Sequence, residues 1–343
     1  MNEPQIISGI AFLSDEFTPE PVDIEVTDGI ITAIEENPRA PPVWICPAFF
    51  NAHTHLGDTL AMDCATTGTL EELVTPPSGL KHRLLAAASR MQLVDGMHAS
   101  LEEMIARGTH GCADFREGGI EGVRALRQAA AGLPFSPVIF GREGGEGEAE
   151  GLGISSTRDV NSLEVQIVDA RKQNRMIAFH AGERDADDIA AALAYDPDLL
   201  IHMTYATDRQ IRECAEREIP IVLCPRSNWI LGVTATSRHP PVKIMLEQGC
   251  RILLGTDNVM FVPPDMISEM AFLLTVYHPA PCEILRAAIA GSGLTGSPWF
   301  IQEKNRAVFF TIDPSRSSLR FSHDPLTSII KRADTGAIGK NVF

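Results

Sequence analysis

The chain has 343 residues, 44% of them apolar, and carries 45 acidic against 29 basic side chains, a formal net charge of −16. So long and apolar a chain can bury the core of one large α/β barrel with a small appended unit. Its negative mean field repels phosphate, which argues against a nucleic acid or an anionic membrane as partner and favours a small-molecule substrate.

The N-terminus, Met1-Asn2-Glu3-Pro4-Gln5, has no basic n-region, and no apolar run reaches the roughly 18 residues of a membrane span. The seven cysteines include no Cys-Xaa-Xaa-Cys pair, and Cys46, Cys112, Cys224 and Cys250 fall in or beside apolar strands, as expected of reduced core residues in a soluble, unprocessed cytoplasmic protein. A homodimer is the expectation on frequency alone.

In chain order, Val22-Asp23-Ile24-Glu25-Val26 alternates at period two and is followed by Asp28-Gly29 and Ile30-Ile31-Thr32-Ala33-Ile34, which predicts a hairpin. The proline-rich stretch 38–42 reads as a linker into a first barrel strand, the apolar run 45–56. A connection of about fifty residues follows, with loop chemistry at Thr66-Thr67-Gly68 and Pro76-Pro77-Ser78-Gly79 and helical stretches at 84–91 and 101–107; its length suits a lid or pocket wall. Next come a strand at 110–115, a helix at 120–131, a strand at 137–141, and a Gly/Glu-rich loop at 144–153 leading into a short fourth strand near 152–155. Helices at 163–174, 189–194, 211–217 and 242–248 then alternate with strands ending at His180, His202, Cys224 and Asp257. Helices near 266–276 and 283–290 precede strand-like text at 307–312 and 319–321. Eight repeats of strand then helix predict a (β/α)₈ TIM-like barrel over 46–305, with residues 1–45 and 306–343 forming a small β-sandwich.

The chemistry is concentrated at strand ends. In Phe49-Phe50-Asn51-Ala52-His53-Thr54-His55 the two histidines stand at i and i+2, so both point to one face where the strand leaves the core. Such a pair alone is common, but Met176-Ile177-Ala178-Phe179 ends in His180, Leu199-Leu200-Ile201 in His202, and Ile252-Leu253-Leu254-Gly255-Thr256 in Asp257. Four strands delivering histidine and aspartate to the C-terminal face, where barrel active sites lie, predict a metal centre.

The chain resembles the amidohydrolase superfamily, in the branch of cytosine, guanine, S-adenosylhomocysteine and 5′-deoxyadenosine deaminases and the triazine chlorohydrolases. The resemblance rests on Pro47-Ala48-Phe49-Phe50-Asn51-Ala52-His53-Thr54-His55-Leu56, His180-Ala181-Gly182-Glu183, Cys224-Pro225-Arg226-Ser227-Asn228, Leu254-Gly255-Thr256-Asp257-Asn258 and the late run Leu319 to Pro325. It implies that His53, His55, His180 and Asp257 bind one divalent metal, that His202 contacts the hydrolytic water or the group attacked, and that Glu183 shuttles protons. Two-metal relatives usually carry a carboxylated lysine near strand four; the ends of strands three and four here offer Arg142, Glu143, Ser155 and Ser156 instead, which implies a mononuclear centre. Two departures stand out. The chain is shorter than many members of this branch, and Gly57 to Asp63 differs from what nucleoside deaminases carry there.

Neutral imidazoles with one carboxylate suit Zn²⁺ first and Fe²⁺ second. The expected activity is a metal-dependent aminohydrolase that displaces ammonia from a cyclic amidine such as a nucleobase, nucleoside or pterin, with Glu183, His202 and Asp257 catalytic. The alternatives are hydrolysis of a cyclic amide or of another C–N or C–Cl bond, and a barrel that binds metal without catalysis. Asp58, Arg116, Arg142, Asn228 and Trp229 are candidates for substrate binding: the arginines for an oxyanion or carbonyl, unless they pair with Glu117 or Glu143, and Trp229 for stacking on a flat ring. The remaining histidines, 82, 98, 110, 239, 278 and 323, read as structural, with His239, in the loop after the seventh strand, the exception to watch.

Overall fold

The structure, a computed structural model, describes residues 3–64, 67–74, 79–160 and 162–342. The loop chemistry expected at Thr66 and at 76–78 lies outside them.

Nine parallel segments form one curled sheet. In chain order they are Phe49–His55, Thr109–Arg116, Ser136–Gly141, Gly151–Ile154, Met176–Ala181, Leu199–His202, Ile221–Leu223, Ile252–Leu254 and Asp257–Asn258. The last two are halves of one eighth strand. Ile252–Leu254 pairs with the seventh strand, while Asp257 and Asn258 pair with Thr54 and His55 of the first, so the ladder closes into the expected barrel. Every residue of the first two strands is buried, as in a parallel sheet covered on both faces, which is why these segments read as unbroken apolar runs.

A second sheet of six strands has the order Ile338–Val342, Phe309–Ile312, Trp44–Pro47, Gln5–Leu13, Thr18–Thr27, Ile30–Glu36. The predicted hairpin is there: Thr27 pairs with Ile30 around Asp28 and Gly29, whose φ values of +49° and +76° are those of a two-residue turn that only such residues adopt cheaply.

Three local expectations change. The run 45–56 is not one strand. Trp44–Pro47 belongs to the small sheet, and the barrel strand starts at Phe49, because Pro47 has no N–H with which to extend either ladder and the Ala48 N–H is spent on Val308 O.

 The segment Trp44–Pro47 instead pairs with Phe309–Ile312 on one side and with Ile10 and Ala11 on the other. The helix expected at 84–91 is broken in two, Leu80–Ala87 and Arg90–Ala106, because Ser89 caps the second: its hydroxyl accepts from the Gln92 N–H while Gln92 Oε1 accepts from the Ser89 N–H. The strand expected at 319–321 is a single 3₁₀ turn, Ser318–Phe321. Leu319 alone of the three is buried, and Ser317 Oγ accepts from the Leu319 N–H. The helix Pro325–Arg332 behind it was not expected; Asp324 caps it, Oδ1 accepting from the Thr327 N–H, with proline in its first turn.

All seven cysteines are free thiols, and Cys46, Cys112, Cys214, Cys224 and Cys250 are buried. No helix of the described residues is long and apolar enough to cross a membrane.

At the break in the eighth strand, a Cβ on Gly255 would stand 2.7 Å from the His53 backbone nitrogen and 2.8 Å from its Cβ. Gly255→Ala is therefore expected to destabilise the fold by about 1–3 kcal/mol through overpacking. Denaturant titration would show it, and an unchanged midpoint would mean that the first and eighth strands can part without cost.

Candidate metal centre and active site

His53 and His55 close the first strand, His180 lies one residue before the end of the fifth, and Asp257 opens the second half of the eighth. All four are buried, and one donor atom from each lies within 4.8 Å of the others. Nε2 of His53 and Nε2 of His55 lie 3.1 and 3.5 Å from Asp257 Oδ1, so both rings present the same nitrogen to the centre. His180 Nδ1 lies 2.9 Å from the Ile154 carbonyl; it donates there, which leaves the Nε2 lone pair free for an ion.

Supporting contacts hold this geometry. Asn51 Nδ2 donates to Thr256 Oγ1 at 2.7 Å and Asn51 Oδ1 accepts from the Thr256 N–H at 2.9 Å, which ties the first strand to the break in the eighth. Ser227 Oγ donates to Asp257 Oδ2 at 2.6 Å and fixes the carboxylate plane. Asp257, His202 and Met203 have φ of +65°, +76° and +51°, so three neighbouring non-glycine residues sit in the left-handed region. Such strain costs about 1–3 kcal/mol per residue and gathers where side chains must be aimed.

Burial holds the His53 imidazole down to about 4 and pushes those of His55 and His180 well below the ordinary range. Burial works the other way on Asp257, but the hydrogen bond with His53 and the neighbouring imidazoles outweigh it and hold that carboxyl well below its usual range. Three neutral imidazoles and one ionised carboxylate converging on one point fit a divalent ion, with zinc and iron the best matches to the donor types.

A cavity of about 640 Å³, counting space open to solvent, covers the cluster. His55, His180 and Asp257 line it together with Glu183 and His202, whose Oε1 and Nε2 are 3.5 Å apart. Burial raises the Glu183 carboxyl above its ordinary value, while His202 pulls it back.

Behind His55 lies a buried set of charges. Glu117 Oε1 is 3.2 Å from His55 Nδ1, 2.8 Å from Lys81 Nζ and 3.2 Å from Arg142 Nη1, and its Oε2 is 2.8 Å from Arg116 Nη2. Lys81 also pairs with Asp58 at 2.9 Å and Arg116 with Asp114 at 3.3 Å. Of the five residues considered for substrate, Arg142 lines the cavity. Asp58 lies behind Lys81, and Arg116 is held between Asp114 and Glu117. Asn228 donates to Thr204 Oγ1 at 3.1 Å, and Trp229 donates to Tyr277 Oη at 3.2 Å with its ring edge-on to Phe272. These four are not among the described lining residues. His239 Nδ1 lies 3.2 Å from the Thr204 carbonyl, also outside the lining.

Sequence reasoning missed Lys81 and Ser227 as site residues, and named Glu117 only as a possible partner for an arginine. Glu117 directly follows the second strand and Ser227 sits inside the quoted Cys224–Asn228 stretch, so both carried a signal. Lys81 carried none, since it enters from a helix of the long first connection.

Comparison with known proteins gives the family of the chain. A family model described as the amidohydrolase family matches residues 44–152, and one described as adenosine deaminase matches residues 160–308. A putative aminohydrolase of Methanothermobacter thermautotrophicus is 32% identical over 98% of this chain and 96% of its own length. The chain belongs to the amidohydrolase superfamily. Another putative aminohydrolase, from Archaeoglobus fulgidus, is 35% identical over 84% of this amidohydrolase and 83% of its own length. Among solved structures, a zinc-bound adenosine deaminase from Xanthomonas campestris superposes with a TM-score of 0.75 at 17% identity, covering 98% of this chain and 90% of its own. The zinc complex of the atrazine chlorohydrolase TrzN from Arthrobacter aurescens gives 0.79 at 16% identity, covering 97% and 94%. At such identities these two bear on the fold alone.

Removing the hydroxyl that holds Asp257 tests the support around the cluster. Ser227→Ala is expected to weaken zinc binding by about ten- to hundredfold, the usual effect of losing an outer partner of a ligand. Chelator competition would measure it, and unaltered affinity would mean that Asp257 needs no such partner.

Proposed function

We propose that this amidohydrolase is a zinc-dependent aminohydrolase that displaces ammonia from a cyclic amidine such as a nucleobase, nucleoside or pterin. The observation that carries this reading is the placement of Glu183 and His202, 3.5 Å apart, in the cavity that His55, His180 and Asp257 also line. The names of the relatives, putative aminohydrolases, support it. The free cysteines and the negative charge accord with a cytoplasmic enzyme acting on small molecules.

His53, His55, His180 and Asp257 would hold one divalent ion. When bound, it supplies Lewis acidity that lowers the pKa of water from about 15.7 to about 7, so that hydroxide is available at neutral pH. Glu183, whose carboxyl burial shifts toward the protonated form, gives its proton to the ring nitrogen of the amidine and so makes the adjacent carbon electrophilic. His202 Nε2 and Asp257 orient hydroxide toward that carbon. The C–O bond forms as the ring C=N electron pair moves to nitrogen. Glu183 then takes a proton from the attacking oxygen and delivers it to the amino group, the C–N bond breaks, and ammonia leaves a cyclic amide.

The test is ammonia release by the zinc-loaded protein from purines, pyrimidines, pterins and their nucleosides. Glu183→Gln is expected to lower kcat by about 10²–10⁴ with the zinc content unchanged. Full turnover in that variant would remove Glu183 from the chemistry. Silence across the panel with zinc bound would favour ring opening or another leaving group.

A further inference from the structure

Two cations stand in the wall of the cavity with hydrogen-bond donors that find no acceptor among the described residues. Lys81 Nζ has three protons, two of them directed to Asp58 and Glu117; its third neighbour is His55 Nδ1 at 3.1 Å. With Nε2 of His55 given to an ion, the proton of this ring sits on Nδ1 and faces Glu117 Oε1, so that Nδ1 has no lone pair for Lys81. The same logic applies to Arg142. Its Nη2 lies 3.3 Å from His180 Nδ1, but that nitrogen already donates to the Ile154 carbonyl, and Arg142 Nε is buried with no partner among the described residues.

Both cations reach the same oxygen, Glu117 Oε1, and both line the cavity, whereas Asp58, Asp114 and Glu117 are not among its described lining residues. The acids that do line it elsewhere are engaged: Asp159 lies 3.7 Å from Arg184, and Asp188 accepts from Ser156, Thr157 and the Gly182 N–H. The wall beside His55 and His180 therefore turns two cations toward the cavity and keeps their counter-charges behind them.

We propose that Lys81 and Arg142 together bind an oxyanion carried by the substrate, so that the molecule acted on is an acidic heterocycle bearing a carboxylate or phosphate. An oxyanion offers several lone pairs and can accept from an ammonium and a guanidinium at once, which a neutral amidine cannot. This inference rests on the aminohydrolase reading for the reacting end of the substrate and adds the chemistry of its other end. Lys81 and Arg142 are binding residues; the proton transfers stay with Glu183.

The test compares matched pairs by calorimetry on the zinc-loaded Glu183→Gln protein, in which turnover is suppressed: pterin with pterin-6-carboxylate, and adenosine with adenosine 5′-monophosphate. The acidic member of one pair is expected to bind at least about tenfold more tightly, and which pair does so identifies the oxyanion as carboxylate or phosphate. Lys81→Met and Arg142→Met, each with its zinc content measured, are expected to lose about ten- to hundredfold in affinity for the acidic member only. Should Lys81→Met fail to fold, Arg142→Lys, which keeps the charge but loses the forked donors, is expected to show a smaller loss of the same selectivity. Equal binding of both members in both pairs, or equal loss of both in the variants, overturns the proposal. Ammonia release by the unsubstituted enzyme separates this from the aminohydrolase reading: release from neutral amidines without preference for acids sinks the oxyanion site alone, and selective acid binding without ammonia sinks the aminohydrolase reading alone.

Discussion

The join between the first and eighth barrel strands is the constraint on which the site depends. Backbone pairing there is limited to Asp257 with Thr54 and Asn258 with His55, because the eighth strand is interrupted at Gly255 and Thr256. The Asn51 amide spans the gap by donating to the Thr256 hydroxyl and accepting from its N–H. One short polar side chain thus sets the distance between the strand that carries two imidazoles and the strand that carries the carboxylate. Gly255 lets the two backbones come that close.

The charged groups behind His55 are costly in isolation. Desolvating three cations and three carboxylates consumes most of what their mutual attraction returns, so such a network is weak grounds for stability. Its value is orientation. Glu117 faces Nδ1 of His55 and thereby favours the tautomer with Nε2 free, the role that an outer carboxylate plays around a metal-binding histidine. Lys81, Arg116 and Arg142 in turn hold Glu117 in place.

Much of this architecture was legible in the sequence. Periodicity and strand ends gave the barrel, its order and five candidate residues, His53, His55, His180, His202 and Asp257, of which the family resemblance implied the four that cluster, because a parallel strand buried on both faces leaves an apolar run that only the functional residue at its end interrupts. Side chains that act through others were harder to see. Lys81 lies on a short helix without strong periodicity, and its importance comes from three contacts, with Asp58, His55 and Glu117, that only the folded chain creates. The single strand read at 45–56 was an error of continuity: an apolar run shows burial but not which of two sheets does the burying, and Pro47 is the only mark of the change. At 319–321, alternating apolar residues suggested a strand where Ser317 instead caps a turn.

The passage of the chain from one sheet to the other at Ala48 has a mechanical consequence. Trp44–Pro47 is gripped on both sides, by Ile10 and Ala11 and by Phe309–Ile312, and only Ala48 intervenes before Phe49 enters the barrel. No slack exists to absorb movement between them. A tug on the small sheet travels along the covalent chain through Phe49, Phe50, Asn51 and Ala52 to His53, so the terminal segments of this protein act as an anchor for the first histidine of the cluster, and a tag or fusion that loads them loads the geometry of the cluster as well.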